Sequence, residues 1–160
     1  MPGFLLDSGQ KCNYYNSSKF FYKVCNMIIV SACLAGINCR YDGKSKISPR
    51  VIELVAKGEA IPLCPEQLGG LSTPREPVNI QSGTYVLAGT EKVLTPKGED
   101  VTINFIQGAN EVLKIAELVN PSLIILKSKS PSCGKTGVAF KLLCEKGFEV
   151  LSELEWEEKQ

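Results

Sequence analysis

Three cysteines occupy the same position in the chain pattern, because each comes shortly after a short apolar run. They are Cys33, Cys64 and Cys133. In an open parallel sheet, ligands bind at the carboxyl ends of the strands, so these three thiols can meet at one edge of one sheet. Three cysteinates can hold a 4Fe–4S cluster and leave one iron without a protein ligand. Such an iron can act as a Lewis acid and bind the soft sulfur of a substrate.

The same thiols allow two other interpretations. Cys33, Cys64 and Cys133 are separated by 31 and 69 residues, so no local motif such as C-x2-C supports a metal site. If Cys39 is a fourth ligand, the coordination is complete, and a structural zinc or a non-catalytic electron-transfer cluster is favoured. If the thiols are simply buried, the chain is a metal-free module that binds a small molecule in its strand-end loops.

Composition excludes several classes of site. The 160 residues include no histidine, which rules out Ser-His-Asp and Cys-His catalysis and any zinc site with a histidine ligand. With 18 basic and 17 acidic residues the net charge is +1, so charge gives no reason to expect a nucleic acid polymer as a partner. No apolar run approaches the length of a membrane span, and we expect no membrane partner. The sequence predicts no particular oligomeric state.

The cysteine count indicates the compartment. Seven cysteines are present, an odd number, and we expect no secretory signal, so a complete disulfide framework is not favoured. In a reducing cytoplasm, clustered cysteines more often bind metal or perform redox chemistry. We therefore expect a cytoplasmic protein.

The elements that would position the thiols alternate between strand and helix. Short apolar runs predict buried parallel strands, and helical spacing with capping signals predicts the helices between them. The predicted strands are 27–32, 60–63, 123–126 and 148–151, and the predicted helices are 48–57, 101–119 and 136–146. Residues 78–94 predict a small antiparallel ribbon beside the sheet. The fold class expected is α/β, a three-layer Rossmann-like domain with a mainly parallel sheet.

Two ends of the chain differ from this pattern. Residues 1–26 are rich in Asn, Ser, Lys and aromatic residues, and we interpret them as an N-terminal extension that could be disordered. Residues 27–160 are interpreted as a single α/β domain. The acidic tail from Glu153 onward is most simply a solvated end.

Six separate blocks of this sequence, in order and spacing, resemble the thiouracil desulfidase family. The resemblance runs from Met27 to about Glu153. The blocks are VSACLAG at 30–36, CRYDG at 39–43, CPE at 64–66, GGLSTPR at 69–75, DVT at 100–102 and LKSKSPSCG at 126–134.

The resemblance implies a 4Fe–4S cluster held by Cys33, Cys64 and Cys133. The family reaction replaces C=S by C=O in a thio-nucleobase such as thiouracil, with water and without net redox change, while the substrate sulfur sits on the open iron. Glu66 matches the acid–base carboxylate of the family, and Ser130 matches its catalytic serine. Physical chemistry agrees, since a carboxylate can activate water and a hydroxyl can donate a hydrogen bond to developing charge.

Four further residues are candidates for shaping the pocket of this small thio-compound: Arg40, Asp42, Thr73 and Arg75. Arg75 lies between prolines and could instead anchor its loop through a salt bridge. The chain also departs from the family pattern, because members usually carry a further glycine-rich block after the SPSCG sequence. Here residues 135–138 lead almost directly into the last helix, which shortens one wall of the predicted site.

Overall fold

The computed structural model describes residues 13–17, 20–24 and 26–159. Its main sheet has four strands, β3 (Ile28–Ser31), β4 (Ala60–Leu63), β5 (Leu123–Leu126) and β6 (Val150–Ser152). These strands are all parallel and lie in the order β4-β3-β5-β6. The helices are α1 (Pro49–Ala56), α2 (Pro65–Leu68), α3 (Gly83–Leu87), α4 (Thr102–Val119), α5 (Val138–Glu145) and α6 (Glu153–Glu158), with a short 3₁₀ helix at Ala32–Ala35. The predicted α/β class with a parallel sheet is confirmed.

Alternate residues of each strand enter two separate core clusters, because successive side chains of a strand point to opposite faces. In the central strand β3, Ile29 belongs to a cluster built mainly with α3, α4 and α5. Its neighbour Val30 belongs to a second cluster, with α1 and the 3₁₀ helix. Both side chains are fully buried. The sheet therefore has a packed apolar core on each face.

Most predicted elements are found where the sequence placed them. The strands predicted at 60–63 and 123–126 have the observed bounds, and α1, α4 and α5 fall within the predicted helices. Pro49 begins α1, as expected of proline at a first helical position. Ser48 does not cap this helix, since its hydroxyl donates to Glu157 Oε1 at 3.0 Å. In that position it joins α1 to the C-terminal helix α6.

The antiparallel ribbon predicted over 78–94 is wrong. The segment contains the helix α3, and Leu94 forms only an isolated antiparallel bridge with Asp100. Ser82 acts as an N-cap, because its side chain accepts a hydrogen bond from the Thr84 amide at 3.3 Å. Gly83 packs against the start of α5, where a Cβ atom would come within 2.5 Å of the Gly137 carbonyl oxygen. The Ser-Gly pair therefore starts a helix instead of marking a hairpin turn.

Both ends of the chain hold structure that the sequence patterns did not indicate. Within the predicted extension 1–26, β1 (Asn13–Ser17) and β2 (Phe20–Val24) pair as an antiparallel hairpin. The rest of that prediction, at 1–12, 18–19 and 25, lies outside the described residues. At the other end, α6 occupies the predicted solvated tail and begins with a capping box between Ser152 and Glu155. Within the described ranges, no helix combines the length and apolar character of a membrane span.

Candidate metal and catalytic site

A cavity of about 980 Å³ opens at the carboxyl ends of the parallel strands. The last residues of β3, β4 and β6 line it, as does Lys127, which follows β5. Four cysteines also line this cavity: Cys33, Cys39, Cys64 and Cys133. The predicted meeting of strand-end thiols therefore occurs, with Cys39 as a fourth participant.

Each of the three expected ligands lies in a locally fixed turn. Cys33 lies inside the 3₁₀ helix that follows β3, and its carbonyl accepts from the Lys46 amide at 2.9 Å. Cys64 is the N-cap residue of α2. The Cys133 amide donates to Ser130 Oγ at 3.1 Å, which closes the Ser-Pro-Ser-Cys turn. These contacts fix the backbone at the three cysteines and thereby limit where their thiols can lie.

A glycine contact between α2 and α4 holds Cys64 and Glu66 in place. A Cβ atom on Gly108 would overlap the carbonyl oxygen of Pro65, and one on Gly69 would overlap the carbonyl oxygen of Asn104. The two helix backbones therefore touch directly, which only glycine permits. The Asn104 side-chain amide also donates to the Gly69 carbonyl at 2.8 Å. The long helix α4 thereby fixes the four-residue helix that carries the site.

The loop after β5 is anchored to α6 by a half-buried ion pair. The Lys127 ammonium binds the Glu153 carboxylate, whose side chain is only 8% exposed. The Ser128 amide donates to the same carboxylate at 2.5 Å. Burial raises the Glu153 pKa, but the hydrogen bonds from Lys127 and Ser128 outweigh it, so the pKa lies below its usual value. Two residues after Lys127, Lys129 lines the cavity and adopts a left-handed backbone conformation with a φ of 55°.

The thiols of the cavity interact with one another. A hydrogen bond with the Cys33 thiol raises the Cys39 pKa to about 11, although the Cys64 thiol opposes this shift. A hydrogen bond with Cys39, together with burial, raises the Cys64 pKa. Burial raises the Cys133 pKa to about 12, against hydrogen bonds from Ser31 and Ser130 that favour its thiolate. Since a metal binds the thiolate form, loading of this site would release protons.

Glu66 faces the cavity from α2, and both of its carboxylate oxygens have side-chain partners. Arg75 Nε donates to Oε2 at 2.5 Å, and Ser132 Oγ donates to Oε1 at 3.2 Å. The Glu66 and Arg75 side chains are 11% and 9% exposed. A buried carboxylate is thus compensated by a buried guanidinium directly beside the Cys64 position.

Residues 28–155 match the sequence model of the family described as 2-thiouracil desulfurase. The chain belongs to the 2-thiouracil desulfurase family. It is 44% identical over 146 residues to "Uncharacterized protein YbbK" of Bacillus subtilis (strain 168), covering 81% of this chain and 97% of that protein. Among solved structures it resembles the "[4Fe-4S]-dependent thiouracil desulfidase TudS (DUF523Vcz)" with a TM-score of 0.73 and 37% identity. That match covers 83% of this chain and 94% of the other.

The donor set of this desulfurase-family chain fits an iron–sulfur cluster. Thiolates are the ligands that such clusters use, and the three strand-end cysteines reach one cavity from different walls. Among the described residues, no three Cys, Asp or Glu side chains converge closely enough to hold a single metal ion. A 4Fe–4S cluster does not require that convergence, because each cysteine binds a different iron and the irons are separated in space.

The structure brings most of the predicted site residues to the cavity. Glu66, Ser130, Arg40 and Arg75 line it together with the cysteines. Asp42 and Thr73 are not among the lining residues. The Asp42 carboxylate pairs with Arg40 at 3.2 Å, and the Thr73 hydroxyl accepts from Gln67 at 2.9 Å and from Arg75.

Three site residues of this family member were missed from the sequence: Ser132, Lys127 and Glu153. Ser132 lies between Ser130 and Cys133, and only its contact with Glu66, 66 residues away, distinguishes it from a turn residue. Lys127 and Glu153 lie in a loop and in an acidic tail, where charges are usually solvated. Glu153 did offer one signal, since it directly follows Ser152, the first residue of a Ser-x-x-Glu capping sequence that ends at Glu155.

Proposed function

We propose that this chain is an iron–sulfur-dependent desulfidase acting on a thio-nucleobase such as thiouracil. The balanced reaction is R₂C=S + H₂O → R₂C=O + H₂S, without net redox change. The observation that carries the proposal is the approach of Cys33, Cys64, Cys133 and Glu66 to one cavity, in a chain of the 2-thiouracil desulfurase family. The three cysteines would hold a 4Fe–4S cluster, which supplies a Lewis acid for a soft substrate sulfur.

Glu66 and Ser130 would carry the proton and charge steps. The Glu66 carboxylate can accept a proton from the water that attacks the thiocarbonyl carbon. Ser130 Oγ accepts hydrogen bonds from the amides of Ser132 and Cys133 at 3.2 and 3.1 Å, which leaves its own proton to donate. That proton can stabilise charge that develops on the substrate or on the Cys133 sulfur.

Arg40 is the proposed substrate contact at the mouth of the cavity. It lines the cavity, its side chain is 30% exposed, and its guanidinium lies 5.9 Å from the Tyr41 ring centre. Asp42 would hold Arg40 in this position, and Thr73 would support the loop on the opposite wall. A planar heterocycle can be bound there by hydrogen bonds and by the aromatic face.

The same proposal extends to the rest of the chain. Residues 27–160 would form one three-layer, Rossmann-like domain, which the apolar clusters on both faces of the sheet support. A cytoplasmic location suits the reduced thiols. The partner would be a small thio-compound rather than a nucleic acid polymer or a membrane.

Anaerobic reconstitution with iron and sulfide tests this function directly. Wild type should bind about four irons per chain, and Cys64→Ala should lose most of them. The loaded wild type should release sulfide and form uracil from 2-thiouracil. Iron uptake without sulfide release would reject the desulfidase activity on this substrate, and no iron uptake by folded protein would reject the cluster.

A second candidate function is supported by Cys39. This thiol is 2% exposed and is hydrogen-bonded to the Cys33 and Cys64 thiols in the same cavity. As a fourth thiolate it would close the coordination and make the chain a non-catalytic metal protein. Cys39→Ala separates the two candidates, since loss of a fourth ligand should weaken metal retention and change the absorption spectrum, whereas loss of a thiol that is not a ligand should leave both unchanged.

A further inference from the structure

The Glu66 carboxylate is held from two sides by residues of two different loops. Arg75 comes from the loop after α2, and Ser132 comes from the turn after β5. Ser132 is 2% exposed, so its hydroxyl is shielded from water by the surrounding turn. Each carboxylate oxygen has one of these partners. Rotation of the carboxylate would therefore break at least one buried hydrogen bond.

Arg75 makes almost all of its possible contacts within the protein. Besides Glu66, its guanidinium donates to the Ser72 carbonyl at 3.2 Å, the Thr73 hydroxyl at 3.3 Å and the Cys39 carbonyl at 3.0 Å. Its backbone amide donates to the Tyr41 carbonyl at 2.9 Å. These four side-chain hydrogen bonds compare with five N–H groups on a guanidinium. Little donor capacity is left for a substrate.

We propose that Arg75 and Ser132 are positioning residues, which act on the reaction by fixing the Glu66 carboxylate and do not themselves contact the substrate. This inference rests on the proposed function of Glu66. The contacts distinguish Arg75 from Arg40: among the described residues the Arg40 guanidinium has one hydrogen-bond partner, Asp42, and the Arg40 side chain is about three times more exposed. Of the two arginines considered for substrate binding, Arg40 keeps that role and Arg75 takes the other.

The need for two anchors follows from the element that carries Glu66. The helix α2 has only four residues, so it gives its side chains little support along the chain. A glutamate has three rotatable side-chain bonds, and a proton acceptor must lie within hydrogen-bond reach of the attacking water. Arg75 also binds the Cys39 carbonyl, which joins the carboxylate to the loop after β3. The charge pair thus connects three walls of one cavity.

Steady-state kinetics with anaerobically loaded Arg75→Met and Ser132→Ala provide the test. We expect kcat to fall by about 10- to 100-fold while KM for 2-thiouracil changes less than about twofold, as for supporting residues of other sites. Iron content should match wild type. A rise in KM at unchanged kcat would identify a substrate contact and overturn the proposal. Lys114→Gln, which removes an exposed ion pair on α4, is the matched control.

A second arm combines each variant with Glu66→Gln. If Arg75 and Ser132 act through Glu66, the double variants should be no slower than Glu66→Gln alone. Additive losses would show a role independent of Glu66 and would overturn the proposal. If Arg75→Met fails to fold, Ser132→Ala removes only one oxygen atom and carries the test alone.

A third arm needs no activity. Crystal structures of Ser132→Ala and Arg75→Met without a cluster should show the Glu66 carboxylate rotated away from its wild-type position. An unchanged carboxylate in both would refute the positioning role. If the loaded wild type were inactive but the Glu66 carboxylate were rotated in the two variants, the proposed reaction would be rejected and this inference would stand. The two failures are therefore distinguishable.

Discussion

Glu153, the first residue of α6, accepts hydrogen bonds from both Lys127 and the Ser128 amide, and so joins the end of the chain to the loop that carries Cys133. The pair is half-buried, and the same loop contributes Ser130 and Ser132. A residue of the acidic tail therefore determines the position of a wall of the site.

This carboxylate should make stability depend on acid. The Glu153 pKa lies below its usual value of 4.5, so its contribution is present above that pH and is lost as pH falls through the lower folded-state pKa. Glu153→Gln should reduce the free energy of unfolding by about 2 kcal/mol at pH 7. It should also flatten the decline in stability below pH 4.5.

Urea unfolding at several pH values measures this effect. Glu111→Gln removes an exposed partner of Lys114 and serves as the control, with little change expected. If both variants follow the wild-type pH dependence, the contribution assigned to Glu153 is absent.

Gly108→Ala should destabilise the protein, although alanine is normally the better helix former. In an open helix this change stabilises by about 1 kcal/mol. Here the added methyl would overlap the Pro65 carbonyl oxygen, so α2 must move or the chain must strain. We expect a loss of about 2 kcal/mol and weaker iron retention, because α2 follows Cys64 directly.

Thermal unfolding and iron counting test Gly108→Ala. Gln107→Ala, at an exposed position of the same helix, should leave both values close to those of wild type. A stabilised Gly108→Ala protein would mean that α2 and α4 are not in backbone contact.

Cys39→Ala should keep the proposed cluster. The three strand-end cysteines remain, and the altered residue lies in the loop beyond the 3₁₀ helix. Iron per chain and the absorption spectrum after reconstitution should equal those of wild type. Cys144→Ser, at an exposed position of α5, is the control for cysteine loss in general. Iron loss confined to Cys39→Ala would favour the four-thiolate protein.

Arg40→Gln should act on substrate binding. Its guanidinium is exposed at the cavity and has no buried pair to maintain, so its loss should raise KM for 2-thiouracil by about 10-fold with little change in kcat. The opposite pattern, a lower kcat at constant KM, would show that Arg40 acts on the reaction step and would contradict its role as a substrate contact.

The sequence predicted the parallel sheet well because its strands are short apolar runs with clear ends. The strand at 123–126 is bounded by Pro-Ser and by Lys-Ser and is buried on both faces, whereas the strand at 60–63, at the edge of the sheet, is only partly buried. Short helices were harder to predict. The five residues of α3 contain too few positions for a helical period, and its Ser-Gly start is also a turn signal.

The cysteines of the site could be inferred from chain position, but its carboxylate network could not. A cysteine that follows a strand closely lies near the carboxyl end of that strand, whatever the rest of the fold does. The contact of Ser132 with Glu66 depends on how two loops approach each other in space. Arg75 lies between prolines in the sequence, which allowed both a substrate contact and a structural salt bridge; the structure shows the ion pair with Glu66.

The strand order has a consequence for biosynthesis. Because β3 lies between β4 and β5, the three proposed ligands become neighbours only when all of these strands have paired. Cys133 follows Cys64 by 69 residues, with the long helix α4 between them. A nascent chain that has been translated only as far as α4 offers two of the three ligands, so a three-cysteine cluster would have to be inserted after β5 has been made and has paired with β3.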